Sequence, residues 1–143
     1  VRELIVRPHW QIDLTRRPEE PAWYGGALAF RVEGTILSNF RPRMGVAAGV
    51  GVLLRYNALR WEPFAPYLQA GVGILDLAFD LADQADGLAF SAEVGAGLCY
   101  PISPHVSVDA GVRFHHISNA NTHLPNGGID SVQFMLGLAY HLD

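Results

Sequence analysis

At 143 residues and 15.6 kDa the chain is one domain's worth, 1–143, with little to spare. Half of it is apolar, 17% is charged and the mean hydropathy is +0.15, which excludes an intrinsically disordered chain. A net charge of −4 and a pI near 5.8 exclude the basic surface of a nucleic-acid binder, and all ten basic residues are Arg, an unusual choice for a solvated surface.

No run of about 18 uncharged apolar residues is present, so no helix of this chain spans a bilayer. The start, Val1-Arg2-Glu3-Leu4, carries no signal-peptide pattern; the expectation is a mature or truncated chain from which targeting information has been removed. The single Cys99 has no internal disulfide partner and is read as packing.

Period-two alternation dominates the chain and predicts strands with two unlike faces. The first run sets Leu4, Val6, Pro8, Trp10 and Ile12 against Glu3, Arg7, His9 and Asp13. The second sets Tyr24, Leu28, Phe30, Val32 and Ile36 against Ala27, Ala29, Arg31 and Glu33. In the third, Met44, Val46, Val50, Val52 and Leu54 alternate with Gly45, Gly49, Gly51 and Arg55. The fourth opposes Leu68, Ala70, Val72 and Ile74 to Tyr67, Gln69, Gly71 and Gly73. The fifth opposes Leu88, Phe90, Val94 and Leu98 to Ser91, Glu93, Gly95 and Gly97. The sixth opposes Val106, Val108, Val112 and Phe114 to Ser107, Asp109, Gly111 and Arg113. The last opposes Val132, Phe134, Leu136, Leu138 and Tyr140 to Ser131, Gln133, Gly137 and His141.

Turn-forming residues separate the runs at 15–21, 38–42, 57–63, 80–87, 101–104 and 119–128. Together these features predict an all-β, antiparallel up-and-down meander closing into a barrel. Apolar residues turned inward would give a soluble lipid-binding barrel clothed in Gly, Ala and Ser, a poor solvated surface. Turned outward, they give a transmembrane barrel. Runs of roughly a dozen residues exceed the about 9–11 that a tilted strand needs to cross a bilayer. Aromatic residues fall at run ends (Trp10, Tyr24, Tyr56, Phe64, Tyr100, Phe114, Tyr140), as interfacial girdles do. The inner face would then be a lumen of small residues and paired charges, Arg7, Arg31, Arg55 and Arg113 against Glu3, Asp13, Glu33, Glu93 and Asp109. Such a barrel, nominally eight-stranded, is plugged by its own side chains and is no pore. Seven strands are visible where bacterial barrels have an even number. The expectation is an additional strand before Val1, or one supplied by a partner chain, because an open edge in hydrocarbon leaves backbone groups unpaired.

Polar residues on the lipid face are the informative exceptions. Alternation puts His116 and Ser118 of the sixth run and Asp130 of the seventh on the same outward face of adjacent strands, beside the 119–128 loop. Ser118 and His116 are about 7 Å apart along the strand, a gap that side chains close. A serine, a histidine and a carboxylate gathered this way are the parts for nucleophilic acyl transfer: His116 accepts the Ser118 proton while Asp130 fixes the imidazole. With both ends of the barrel periplasmic, this group lies near the outer leaflet. Alternation alone leaves another reading open, in which the three merely touch headgroups and water. His105 and His115 fall on the inward face and are read as lumen hydrogen bonders, and His123 as a loop residue. The set His116, His123 and Asp130 matches no metal pattern, so neither a metal nor any other cofactor is expected.

The stretch Phe114-His115-His116-Ile117-Ser118-Asn119-Ala120-Asn121, followed by Pro125-Asn126-Gly127-Gly128-Ile129-Asp130-Ser131, resembles the outer-membrane lipid A 3-O-deacylases of the PagL type. The family's signature is His-x-Ser-Asn-Ala, then Pro-Asn-x-Gly-Ile and a glutamate, at the end of a small eight-stranded barrel. Pro66-Tyr67-Leu68-Gln69-Ala70-Gly71-Val72-Gly73 and Gly95-Ala96-Gly97-Leu98 look like its strand motifs. The likeness covers roughly residues 64–142, and the first third only as generic strands.

That resemblance implies a bacterial outer-membrane ester hydrolase acting on lipid A of lipopolysaccharide among membrane lipids. Ser118 would be the nucleophile, His116 the general base and Asp130 the acid where the family has Glu. Asn126, with the backbone amides of Ala120 or Asn121, would donate to the oxyanion, and Asn119 would orient the loop. The shorter Asp130 predicts that the strands come closer or that a water bridges acid and imidazole. Asn121, standing where some members have Gly, would alter backbone access to the oxyanion. The rival expectation is a catalytically idle barrel of the same fold, serving as a structural or accessory subunit of a membrane assembly; a homodimer or a membrane-complex partner is the association expected.

Overall fold

The computed structural model describes residues 2–15, 26–41, 44–58 and 63–142, without the side chains of Arg2, Glu3, Asn39 and Arg41. The girdle position Tyr24 and the inward carboxylate of Glu3 therefore lie outside what is described. β1 (Arg2–Val6) and β2 (His9–Asp13) both pair antiparallel with β3 (Gly26–Arg41), and from Glu3 on in a single register: Val6 faces Ile36 and His9 faces Glu33. They are two halves of one strand position, interrupted at Arg7-Pro8 because Pro8 has no N–H to give the ladder. The Pro8 carbonyl still accepts from Gly34 N at 2.8 Å.

β4 (Gly45–Ala58), β5 (Ala65–Ala78), β6 (Gly87–Ser103), β7 (Val106–Ser118) and β8 (Ile129–Tyr140) follow, each antiparallel to the one before. The eight elements thus occupy seven strand positions of one up-and-down sheet, the all-β antiparallel architecture that the alternation predicts. The strand expected to complete an even number is not among the described residues. Among those residues no ladder joins β8 to β1 or β2. The two edges face each other across a cleft of about 2660 Å³ that runs into the lumen, lined by Leu4, Val6 and Trp10 on one side and Leu136 and Leu138 on the other.

Strands form here because Val, Leu, Ile and aromatic residues alternate with small or polar ones, and the alternation is read out as two faces. Leu68, Val72, Val94 and Val132 point outward and are exposed, whereas Arg31, Glu33, Arg55, Gln69, Asp109, Arg113, His115 and Gln133 are buried inside. The outward-apolar arrangement is the one observed. Side chains hold the rolled sheet together across its lumen. Arg113 on β7 reaches Glu33 on β3 (2.5 Å) and Glu93 on β6 (2.9 Å). Arg7, at the break between β1 and β2, meets Glu33 (2.8 Å), Glu93 (3.2 Å) and, on the far edge strand, Gln133 (2.8 Å). Arg55 pairs with Asp109 at 2.7 Å and lies 3.6 Å over the Tyr67 ring. Glycine makes room for that ring: a Cβ at Gly111 would come within 2.6 Å of the Tyr67 hydroxyl.

Two features differ from expectation. The lumen is not polar throughout. At the end toward the 119–128 loop, Leu37, Leu75, Leu77, Phe79 and Ile117 form a buried apolar layer, joined by Leu81 and Ile129. The loops fold over this end, and an apolar seat removes surface from water without leaving charges unpaired. The turn expected at 101–104 is also shorter. β6 runs on to Ser103 through a register shift between Pro101 and Ser103, because a bulge accommodates the proline within the ladder. At this opposite end Phe64 and Tyr100 lie with ring centroids 5.6 Å apart and Tyr140 stacks on His105 at 6.1 Å, aromatic residues at a strand-end girdle.

Candidate active site

β7 and β8 pair so that His116 is the ladder partner of Asp130. Both side chains project from the outer face, and His116 Nδ1 lies 2.6 Å from Asp130 Oδ1. The aspartate thus reaches the imidazole directly, with neither a bridging water nor a longer side chain required. An acceptor on Nδ1 favours the tautomer whose proton sits there, which leaves the Nε2 lone pair as the basic site. The pair is open to its surroundings, with 43% of the His116 and 64% of the Asp130 side chain exposed.

Ser118, the last residue of β7, shares that face and is the ladder partner of Phe90 on β6. Among the described residues no hydrogen bond joins Ser118 Oγ to His116, so the structure brings together two members of the predicted group and sets the third beside them. Nucleophile–base contacts in unliganded sites are commonly looser than in the substrate complex. Phe90, Phe114, Val132 and Phe134 are exposed on the same outer surface, so the polar group stands in an apolar field.

Beyond Ser118 the chain turns through two consecutive residues of positive φ, Ala120 (52°) and Asn121 (62°). Asn119, buried beneath them, organises this turn. Its Oδ1 accepts from Asn121 N (3.0 Å), its Nδ2 donates to His123 O (2.7 Å), and its carbonyl accepts from Thr122 N (3.0 Å). Asn119 N donates in turn to Asn126 Oδ1 at 3.0 Å, which directs the Asn126 amide nitrogen away from the loop backbone. One of its hydrogens goes to Asn121 Oδ1 (3.0 Å), and the second makes no hydrogen bond among the described residues. Asn121 thus contacts Asn119 through its backbone and Asn126 through its side chain.

Three other histidines occupy other roles. His115 Nδ1 lies 3.1 Å from Gln133 Nε2 inside the lumen, His105 stacks on Tyr140, and His123 Nδ1 is 3.3 Å from Thr122 Oγ1. Among the described residues no group of three His, Cys, Asp or Glu side chains is gathered to hold an ion. Sequence reading missed Gln84. It is buried in the 79–86 loop, and its Oε1 accepts from Gly128 N at 3.1 Å. No periodicity marks it, because it acts by docking one irregular loop on another.

A family model described as "Lipid A 3-O-deacylase (PagL)" matches residues 3–139. Among solved structures, the crystal structure of the outer membrane enzyme PagL superposes with a TM-score of 0.66 at 20% identity, over 96% of this chain and 90% of that one. At that identity the superposition speaks for the fold. No curated protein matches the chain.

Proposed function

Because this chain belongs to the lipid A 3-O-deacylase (PagL) family, we propose that it removes an ester-linked acyl chain from lipid A in the bacterial outer membrane through a Ser118 acyl-enzyme. The observation that carries this reading is the 2.6 Å contact between His116 and Asp130 on the lipid-facing surface, two residues from Ser118's strand-end position. A structural barrel has no use for a buttressed imidazole in hydrocarbon, where polar groups are expensive.

In this reading substrate arrives laterally within the leaflet, its acyl chain lying along Phe90, Phe114 and Val132. His116 Nε2 takes the Ser118 proton as Oγ attacks the ester carbonyl. The tetrahedral oxyanion is met by Asn126 Nδ2 and the backbone amide of Ala120, since Asn121 N is already given to Asn119 Oδ1. The bond between the acyl carbon and the sugar's 3-oxygen breaks, and His116 gives the proton to that departing oxygen. Water, deprotonated by His116, then releases the fatty acid and restores Ser118. Asp130 stays ionised throughout and stabilises the imidazolium.

Mass spectrometry of lipid A incubated with the purified protein tests this. Loss of one acyl chain with the wild type and none with a folded Ser118→Ala variant is the expected result; equal loss from both sinks the acyl-enzyme. One observation favours a second reading, an idle barrel serving a membrane assembly: the Ser118–His116 hydrogen bond is not made. The same incubation decides between them, since an idle barrel leaves lipid A intact.

A further inference from the structure

We propose that Gln84 is a positioning residue for the His116 base, acting through Gly128 from a loop that carries none of the reacting groups. The inference rests on the Ser118 reading above and adds to it the device that holds the base in place.

The β7–β8 ladder ends at Ile117 and Ile129, so the residue just before β8 has no partner on β7. The 79–86 loop supplies one instead. Gln84, only 3% exposed, accepts from Gly128 N through Oε1, and two backbone bonds flank this contact: Gly127 N to Asp83 O (2.6 Å) and Ala85 N to Pro125 O (2.8 Å). Those two bonds make the backbone bridge between Gln84 and Asn126. Gly128 has φ +71°, and a Cβ built on it would stand 3.2 Å from His116 Cε1, so its backbone forms a wall against the imidazole. Asn126 lies two residues before Gly128 and Asp130 two residues after it. The buried Gln84 amide, beside these two backbone bonds, thus helps fix the point from which the oxyanion donor, the ring wall and the acid all extend.

Geometry of this kind acts on turnover, not on substrate affinity, because Gln84 itself lies beneath the loop. Gln84→Met conserves shape and removes the amide, whose Nε2 also donates to Ala85 O at 3.3 Å, whereas Gln84→Glu keeps an acceptor oxygen for Gly128 N and gives up only that local donor. Each variant is folded in detergent, its barrel verified by heat-modifiable electrophoretic mobility, and kcat and KM for acyl release from lipid A are measured separately. Gln84→Met is expected to lower kcat by roughly 10- to 100-fold with KM held within about twofold, the size of effect that misplacing a catalytic group produces. Gln84→Glu is expected to restore most of the loss. A folded Gln84→Met protein with wild-type kcat, or a loss confined to KM, overturns the proposal.

Gly128→Ala provides a second route should Gln84→Met not fold: it leaves Gln84 in place and presses a methyl on the ring, and unchanged kcat there also overturns the proposal. If the wild type itself releases no acyl chain, the Ser118 reading has failed, and nitrogen NMR of the His116 ring still decides this one. Ring signals that shift in Gln84→Met and return in Gln84→Glu support it; signals identical to wild type in both variants overturn it.

Discussion

His116 and Asp130 are ladder partners on β7 and β8, and their side chains meet at 2.6 Å on the outer face of the sheet. A directly opposed cross-strand pair needs less reach than a diagonal one, which is why the shorter acid suffices here. Asp130→Asn keeps the shape but lets the amide donate to Nδ1, which puts the proton on Nε2 and removes the base. The expected loss in kcat is about 10²- to 10⁴-fold, as when a triad carboxylate is neutralised. Asp130→Glu retains the charge and is expected to keep activity within about tenfold of wild type, since only the placement of the base changes. Initial rates of fatty-acid release from lipid A measure both, and an active Asp130→Asn enzyme would remove the carboxylate from the mechanism.

Asn126 and Asn121 allow the proposed oxyanion donor to be separated from the residue whose side chain accepts from it. Asn126→Asp preserves the acceptor for Asn119 N and replaces the donating nitrogen with an oxygen. Its kcat is expected to fall about 10²- to 10³-fold, the loss typical of one oxyanion donor. Asn121→Gly suits the φ of 62° and deletes only the acceptor of one Nδ2 hydrogen. Its effect should stay within about fivefold, the worth of one neutral hydrogen bond. Equal losses in the two variants would mean that Asn126 acts through loop structure and not as a donor.

Much of this architecture was legible because alternation is a strong signal and acts on every strand. It separated the lumen charges from the outer Val and Leu, bounded the 119–128 loop at Ser118 and Ile129, and put His116 beside Asp130. What it did not carry has physical reasons. The split of the first strand at Arg7-Pro8 leaves the pattern of faces unchanged, so only the missing proline N–H reveals it. Leu75, Leu77 and Ile117 lie on the inward face like the lumen charges; their burial depends on loops folding over that end of the barrel. Gln84 belongs to an irregular segment, and contacts between irregular segments have no period to read.

The lumen network makes a stability prediction independent of activity. Arg113 is 1% exposed and binds Glu33 and Glu93 together. Arg113→Met fills a similar volume but leaves two buried carboxylates with Arg7 as their remaining shared cation. Removing one partner of a buried ion pair costs about 3–5 kcal/mol, far more than an exposed pair contributes. Urea unfolding in liposomes, followed by tryptophan fluorescence, should show a loss of that order. A change below about 1 kcal/mol would fall in the range of exposed pairs and mean that the network is solvated.

The outward face is open to a test that needs neither substrate nor active site. Val72 sits mid-way along β5, between its ladder partners Val52 and Ala92, and is 61% exposed. In a bilayer that exposure is to acyl chains, and a cation there lies as far from either headgroup region as the strand allows. Val72→Arg is therefore expected to destabilise the folded barrel by about 2–4 kcal/mol in phosphatidylcholine vesicles, the cost measured for Arg near a bilayer midplane. The same replacement on a water-facing strand changes stability by about 0.5 kcal/mol or less. Unfolding titrations of the two proteins in vesicles discriminate these values. A result at the lower value would mean that the face carrying Ser118, His116 and Asp130 looks onto water, which removes the lateral route by which an acyl chain reaches them.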